Sequence, residues 1–434
     1  MQDKRTPPSP SKVEDLVDDE MIVEDDIEEV IDLNDPIFES SSSSDENENP
    51  RTEDLMQEDT VDDAIRVFCG HKSHHTVFCC SLSKNGDLAA TGGEDDKGYL
   101  WNASTGESIL NTDDSHNDSV IFSDFNYNDK YVATADMRGK IKLWRISDKT
   151  CVWETALMND INWIKWHPFS DILVTGVETG EVYMLKTRKD DYKIFAQGSG
   201  IKSETGIILP DGTFLFKREQ NINLNLAGKR AVIGYENGMI HVIDLKSNTL
   251  VSTTPPDQRR LHGHSSSIIA LDCYMDNNLL ISVSVESQTI LSTIHNGKVI
   301  CVLQDLRRRG NNNDHIEIAA FCKDPTFPVA ASATVTSETY GKIYIWDISK
   351  QSLRNEMDQE GGITKLVWTK ASIFFTAGLD GKLRCFDAKI GHCLRIFSGH
   401  KGALYDLCIS SDEKKAITVS DDGTARLFDI SSIC

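Results

Sequence analysis

The stretch Ala90-Thr91-Gly92-Gly93-Glu94-Asp95-Asp96, running on to Trp101, decides the fold because it returns three more times. Ala133-Thr134-Ala135-Asp136 runs to Trp144, Thr376-Ala377-Gly378-Leu379-Asp380-Gly381 to Phe386, and Val419-Ser420-Asp421-Asp422-Gly423-Thr424 to Phe428. In each copy a strand of small and β-branched residues ends in an acid-bearing turn, and the next strand ends on an aromatic. Upstream of each lies an apolar run and a polar turn, such as Lys84-Asn85-Gly86-Asp87 or Ser411-Asp412-Glu413. A unit of short strands thus recurs about every forty residues, the period of architectures whose units bury their apolar faces on their neighbours.

The unit resembles the WD repeat. Trp346-Asp347 keeps the defining dipeptide, and Phe386-Asp387, Phe428-Asp429 and Ile243-Asp244 are conservative variants. Eight units are counted, on strands ending near Trp101, Trp144, Leu185, Ile243, Ser292, Trp346, Phe386 and Phe428. The expected fold is therefore all-β, an eight-bladed WD-repeat β-propeller over residues 64–434. Seven blades is the alternative, because the unit from Ile268 to Leu303 is degenerate. The last unit has three strands and Arg66-Val67-Phe68 precedes the first as an orphan, so pairing these ends would close the ring and leave no open edge.

Charge divides the chain in two. Of 68 acidic and 45 basic residues, the first 63 positions hold 23 and 4, a net of -19, which leaves 45 and 41, a net of -4, for the remainder. Residues 1–63, with the serine block Ser40 to Ser44 and five prolines, cannot bury enough apolar surface to offset chain entropy and are expected to be a disordered acidic tail. A net charge of -23 argues against direct DNA binding through bulk positive charge. No apolar run is long enough for a membrane span and no secretory signal opens the sequence, so a cytoplasmic protein is expected, with the nucleus as a second compartment. The eleven cysteines form no CxxC pair and are read as reduced, mostly buried thiols, with neither a metal nor a cofactor implied. Phosphate-binding, nucleophile-elbow and zinc-protease motifs are all missing, so no catalytic residue is nominated and a non-catalytic interaction module is expected.

The histidines fit the fold. His116, His264 and His400 each stand four residues before an apolar strand residue, the WD-repeat position from which a His bridges a strand Ser or Thr to the turn Asp. By that resemblance Asp95, Asp380 and Asp422 are the turn aspartates, and the matching positions elsewhere read Arg138, Thr179, Asn237, Ser287 and Tyr340. The residue before the turn aspartate is free of this structural duty and points to one rim of the channel. There the sequence reads Glu94, Met137, Glu178, Glu236, Glu286, Thr339, Leu379 and Asp421, with Asp95, Asp96 and Asp136 close by. Carboxylates spaced around a concave mouth suit a Lys- and Arg-rich peptide, so Glu94, Asp95, Asp136, Glu178, Glu236, Glu286 and Asp421 are the candidate ligand residues. The blander reading is that exposed turns favour acids anyway. Arg307, Arg308 and Arg309 form a candidate polyanion loop, with a solvated loop as the blander reading. Trp153, Trp163, Trp166 and Trp368 fall at strand positions and read as core.

Three segments carry a closer resemblance: Thr91 to Lys97, Asp160-Ile161-Asn162-Trp163-Ile164-Lys165-Trp166-His167-Pro168, and Arg230-Ala231-Val232-Ile233-Gly234-Tyr235-Glu236-Asn237-Gly238. They are similar to the angio-associated migratory cell protein family, which shares the acidic tail and eight WD repeats. The resemblance implies that fungal relatives act as dedicated chaperones, capturing the basic N-terminal segment of a large-subunit ribosomal protein until it joins the ribosome. It also implies, for the animal member, an association with cell migration and heparin binding. A basic ribosomal-protein segment is accordingly the expected partner, and a migration or signalling scaffold bound to other proteins or to a polyanion is the alternative.

One departure stands out. Family members run from a Leu-Pro-Asp-Gly turn into Lys-Arg-Ala-Val, whereas here Thr213 to Gly228 separate Leu209-Pro210-Asp211-Gly212 from Lys229-Arg230. Our hypothesis is a retained short intron, because removing these residues restores the family join inside a tight hairpin. The alternative is a genuine surface insertion. Transcript sequencing is expected to show the segment spliced out, and reads spanning it at full abundance would overturn the intron reading.

Overall fold

The computed structural model describes residues 61–433 apart from 73, 113–115, 188–191, 196–199, 211–227, 257–262, 307–313 and 338. The chain divides into two compact units, Met1–Glu58 and Asp59–Cys434, and every described residue belongs to the second. The expected acidic tail therefore lies almost wholly outside the described residues, as do Arg307, Arg308, Arg309 and the segment from Thr213 to residue 227.

Thirty-two strands make eight four-stranded antiparallel sheets, so the count is eight blades and the degenerate unit is a full blade. Each blade begins with an inner strand: Val77–Leu82, Val120–Phe125, Ile161–Trp166, Ser203–Ile208, Ile268–Cys273, His315–Phe321, Ile363–Trp368 and Leu404–Ile409. We number the blades 1 to 8 in that order. Neighbouring inner strands contact one another around the ring, which places them at the channel and the fourth strands at the circumference.

The ring closes as the orphan strand implied. Arg66–Phe68 is the outer strand of blade 8, with Arg66 opposite Leu427 and Phe68 opposite Ala425. Residues from both ends of the chain thereby share one core. Phe68 is 1% exposed, its ring centroid lies 5.3 Å from that of Trp101, and the same cluster takes in Val77 and Ile417. Just ahead of this strand, Asp63 accepts from the Ser398 amide at 2.8 Å and Asp62 accepts from Arg426.

Apolar clusters bridge neighbouring blades throughout. One, for example, joins Ala331, Ile343 and Ile345 of blade 6 to Leu366, Trp368, Phe374 and Phe386 of blade 7. The near-continuous apolar runs of the second strands explain this, since successive side chains point to opposite faces and a strand buried on both must be apolar at successive positions. Trp163, Trp166 and Trp368 are core, as expected. In blade 4 the Leu209 amide donates to the Arg230 carbonyl at 2.9 Å, so the hairpin is paired right up to the two ends of its long connection. The ten described cysteines are all free; four are buried, three half-buried, and Cys69, Cys151 and Cys393 are exposed, fewer buried than expected.

Because Phe68 supplies packing that joins the two chain ends, Phe68→Ala should lower unfolding free energy by about 3–5 kcal/mol. Leu394→Ala, on the exposed outer strand of blade 7, should change it by less than about 0.5 kcal/mol. Denaturant titration of both variants checks this, and equal small effects would show that closure does not limit stability.

Candidate functional site

Two sets of polar residues occupy the face at which the inner strands begin, and the structure separates them. The first set is internal. In blade 1 the Trp101 indole donates to the Thr91 hydroxyl at 2.9 Å, which meets His71 Nε2 at 2.9 Å, and His71 Nδ1 meets Asp95 at 2.8 Å. A carboxylate only accepts, so the proton sits on Nδ1 and the chain runs Trp to Thr to His to Asp. Blade 2 repeats it with Trp144, Thr134, His116 and Asp136. Blade 8 keeps Thr418, His400 and Asp422, with Phe428 in place of the Trp. Burial works against ionisation of Asp95, Asp136 and Asp422, but the hydrogen bond from each histidine, with the neighbouring backbone amides, holds all three below the usual carboxylate range.

These findings correct several expectations. Asp95 and Asp136 are buried and bound to histidine, so neither can meet a ligand. Asp136 comes from the last position of its strand because Arg138 fills the turn position, where it pairs with Asp118 at 2.9 Å. Asp380 has no histidine; Arg384 grips it with both guanidinium nitrogens, at 2.9 and 2.5 Å. His71 escaped the sequence reading because it stands six residues ahead of its inner strand rather than four. Two glutamines were also missed. Gln304 accepts from Ser332, which takes the Trp346 indole, and Gln359 accepts from Thr376. They replace the histidines of blades 6 and 7, reaching across from the outer strand of the preceding blade.

In blade 5 the chain is incomplete. His264 meets Ser282 at 2.7 Å, but its Nδ1 is buried without a partner, and burial pushes its pKa down to about 3. The turn-aspartate position, four residues after Ser282, is Glu286 and not Ser287, and the Glu286 carboxylate accepts from the Ser265 hydroxyl.

The second set is the exposed rim. Counting three residues beyond Thr91, Thr134, Thr175, Ser282, Ser332, Thr376 and Thr418 of the second strands, and beyond Ile233 at the same position in blade 4, gives Glu94, Met137, Glu178, Val285, Val335, Leu379, Asp421 and Glu236. The amides of Glu94, Met137, Glu178, Glu236, Val285, Leu379 and Asp421 each donate to the carbonyl of the residue just ahead of the inner strand. This shared bond proves the equivalence in seven blades and corrects the expected Glu286 to Val285; in blade 6 the same count, with Val335 opposite His315 at the start of the inner strand, replaces the expected Thr339 by Val335. The wrong pair arose because blades 5 and 6 lack the small-residue and acid pattern that marks the turn elsewhere. Four carboxylates remain, Glu94, Glu178, Glu236 and Asp421, all exposed. Glu94 accepts from the Thr76 amide at 3.0 Å and Asp421 from the Thr76 hydroxyl at 2.6 Å, so the same residue positions both. No Lys or Arg among the described residues neutralises any of the four.

Within the rim, every inner strand skips one residue in its register just after its start. The skipped residues ring the mouth and include Phe78, Ile121, Glu204, Ile269 and Tyr405; the Phe78 and Tyr405 rings lie 6.2 Å apart. Such bulges re-aim side chains at the ends of strands. Deeper in the channel, Lys365 pairs with Asp406 at 3.0 Å. Burial pushes Asp124 and Asp272 up to about 6. It also raises the thiols of Cys79, Cys80 and Cys408, which marks them as unreactive. Among the described residues no cluster of His, Cys, Asp or Glu has metal-binding geometry, and no helix is long and apolar enough to cross a membrane.

Eight four-stranded blades, two of them with the full Trp, Thr, His and Asp chain, define a WD-repeat β-propeller, a protein-interaction module. A family model, the WD domain or G-beta repeat, matches residues 63–102, 107–145 and 391–429. The chain belongs to the angio-associated migratory cell protein family. It is 32% identical over 378 residues to the members from Homo sapiens and Canis lupus familiaris, a match covering 85% of this chain and 80% of each of those. An uncharacterized WD repeat-containing protein of Schizosaccharomyces pombe is 24% identical over 94% of this chain and 96% of its own. Among solved structures, Sqt1 of Saccharomyces cerevisiae superposes with a TM-score of 0.70 at 18% identity, covering 85% of this chain and 99% of that one. Sqt1 of Chaetomium thermophilum, solved bound to the N-terminus of the ribosomal protein L10, gives a TM-score of 0.70 at 18% identity over 85% and 100%. At that identity the likeness is one of fold.

Since His264 of blade 5 lacks a carboxylate at the right reach, Glu286→Asp should supply its Nδ1 partner and raise unfolding free energy by about 1 kcal/mol. The same change should lift the His264 pKa, because a carboxylate beside Nδ1 favours the charged ring. Denaturant titration and histidine NMR check both effects, and a variant no more stable than the parent would refute the assignment of position 286.

Proposed function

We propose that this protein is a carrier for a basic segment of another protein, and more narrowly a dedicated chaperone of a large-subunit ribosomal protein during ribosome assembly. The observation that carries the reading is the set of four un-neutralised carboxylates, Glu94, Glu178, Glu236 and Asp421, at one repeated structural position around one mouth. Fixed carboxylates on a rigid ring attract Lys and Arg at long range and bind them through charge-assisted hydrogen bonds, with little ordering cost on the carrier side. Holding a basic segment also screens it from non-specific contact with nucleic acid, which is what a positively charged protein needs before assembly. Sqt1, bound to the N-terminus of ribosomal protein L10, supports the reading by sharing the fold. The cytosol is the natural compartment for such a carrier, with the nucleus as the second.

A scaffold for a polyanion such as heparin would rest on Arg307, Arg308 and Arg309. Those residues lie outside the described ones; the four exposed rim carboxylates would repel a polyanion, and this favours the carrier.

Capture from lysate with the full chain at low and high salt tests the choice. One basic ribosomal protein should be enriched, lost at high salt, and lost again with Glu94→Lys combined with Glu236→Lys, while Arg308→Glu changes nothing. Recovery that ignores the two rim substitutions but disappears with Arg308→Glu would replace the carrier with the scaffold.

A further inference from the structure

The rim is not acid throughout, and its interruption in blade 2 has a definite build. Met137 stands between Glu94 of blade 1 and Glu178 of blade 3 and is 48% exposed. The connection from blade 2 to blade 3 carries a second methionine, Met158, which is 99% exposed. These segments are locked together: the Ile161 amide donates to the Met137 carbonyl at 3.2 Å, and the Leu157 amide to the Gly139 carbonyl at 2.8 Å. Gly139 has φ +91°, and a Cβ there would meet the Asn159 carbonyl oxygen at 2.7 Å. Only glycine lets the two backbones approach this closely, so Met158 is held in water by a rigid loop rather than left there by a slack one. The flanks are charged, with Glu94 on one side and the exposed Asp160 and Glu178 on the other. The adjacent cation, Arg138, is engaged by Asp118 at 2.9 Å.

We infer that Met137 and Met158 form an apolar seat inside the acidic rim, and that the bound segment presents an apolar side chain flanked on both sides by Lys or Arg. This rests on the carrier reading above and sharpens it, from a basic segment to a basic, apolar, basic one. Two unbranched thioether side chains adapt to an apolar group of varied shape, which suits a seat that must not select by shape alone. The carboxylates on either side supply orientation and reject an anionic lipid surface, which would otherwise compete for an exposed apolar pair.

The test uses the full chain and three labelled twelve-residue peptides of equal charge, read by fluorescence anisotropy at two salt concentrations. The first has one Leu between two pairs of arginines, the second has Ser in its place, and the third carries the Leu at its C-terminal end. The parent should bind the first about tenfold more tightly than the other two, the worth of one partly buried apolar side chain. Met137→Ser combined with Met158→Ser should bind all three equally, with an unchanged salt dependence and an unchanged melting temperature. Glu94→Lys combined with Glu178→Lys should weaken all three and flatten the salt dependence. Equal binding of the three peptides by the parent, or a Leu preference that survives loss of both methionines, overturns the apolar seat and leaves the acidic rim standing. No binding of any peptide by the parent, or no effect of the two lysines, removes the carrier reading and the seat with it.

Discussion

A hydrogen bond to a hydroxyl inside a blade, from the connection that enters that blade or from the outer strand just before it, is the interaction on which the rest of this structure depends. A single four-stranded sheet has two apolar faces and cannot cover both, so a blade is stable only against its neighbours. Apolar packing supplies attraction but little direction. The chains through His71, His116, His264 and His400 supply direction, because each buried hydroxyl has a partner in only one relative placement of two blades. Gln304 and Gln359 do the same from the outer strands of blades 5 and 6. At blade 3 tryptophans take over: Trp166 donates to the Asp124 carbonyl of blade 2 and Trp163 to the Ser203 hydroxyl of blade 4. Every junction of the ring is thus pinned by a polar contact drawn from a small set of residue types.

The exposed rim follows from this internal frame. Once the turn aspartate is committed to histidine, the residue before it is carried to the mouth, and its amide is tied to the base of the inner strand. Its side chain is then free to vary without cost to the fold. Four blades use it for carboxylates and four for apolar residues, so an apolar arc over blades 5 to 7 faces an acidic arc that only Met137 interrupts. A partner bound there as proposed would meet fixed charges on a rigid body, and the ordering cost of binding would fall on the partner.

Much of the fold was legible because repetition is visible without structure. Trp101, Trp144, Trp346, Phe386 and Phe428 marked third strands, and Arg66-Val67-Phe68 marked the closing strand. The site was less legible. Asp136 looked like a surface acid because its neighbours match an exposed turn, yet it is the histidine partner of blade 2. Glu286 looked like a rim acid because blade 5 has lost its motif, and a shift of one residue moves a side chain from the rim to the interior. His71 was hidden by a loop two residues longer than the others, and Gln304 and Gln359 by lying in a different blade from the hydroxyls they bind.

What the amino-acid sequence determined by itself was periodic: strand alternation, turn chemistry, the forty-residue unit, the split between an acid-rich N-terminal stretch and a nearly neutral body, and the ring they imply. These are local properties, written in neighbouring residues and repeated often enough to be read through noise. Only the tertiary structure decided which acids face water. That choice depends on which donor reaches each carboxylate, and for Asp95, Asp136 and Asp422 the donor is a histidine at a sequence separation of 24, 20 and 22 residues. Burial against a partner that far along the chain exists only in the folded blade, so Asp95 and Asp136 became structural while Glu94, Glu178, Glu236 and Asp421 were left facing water.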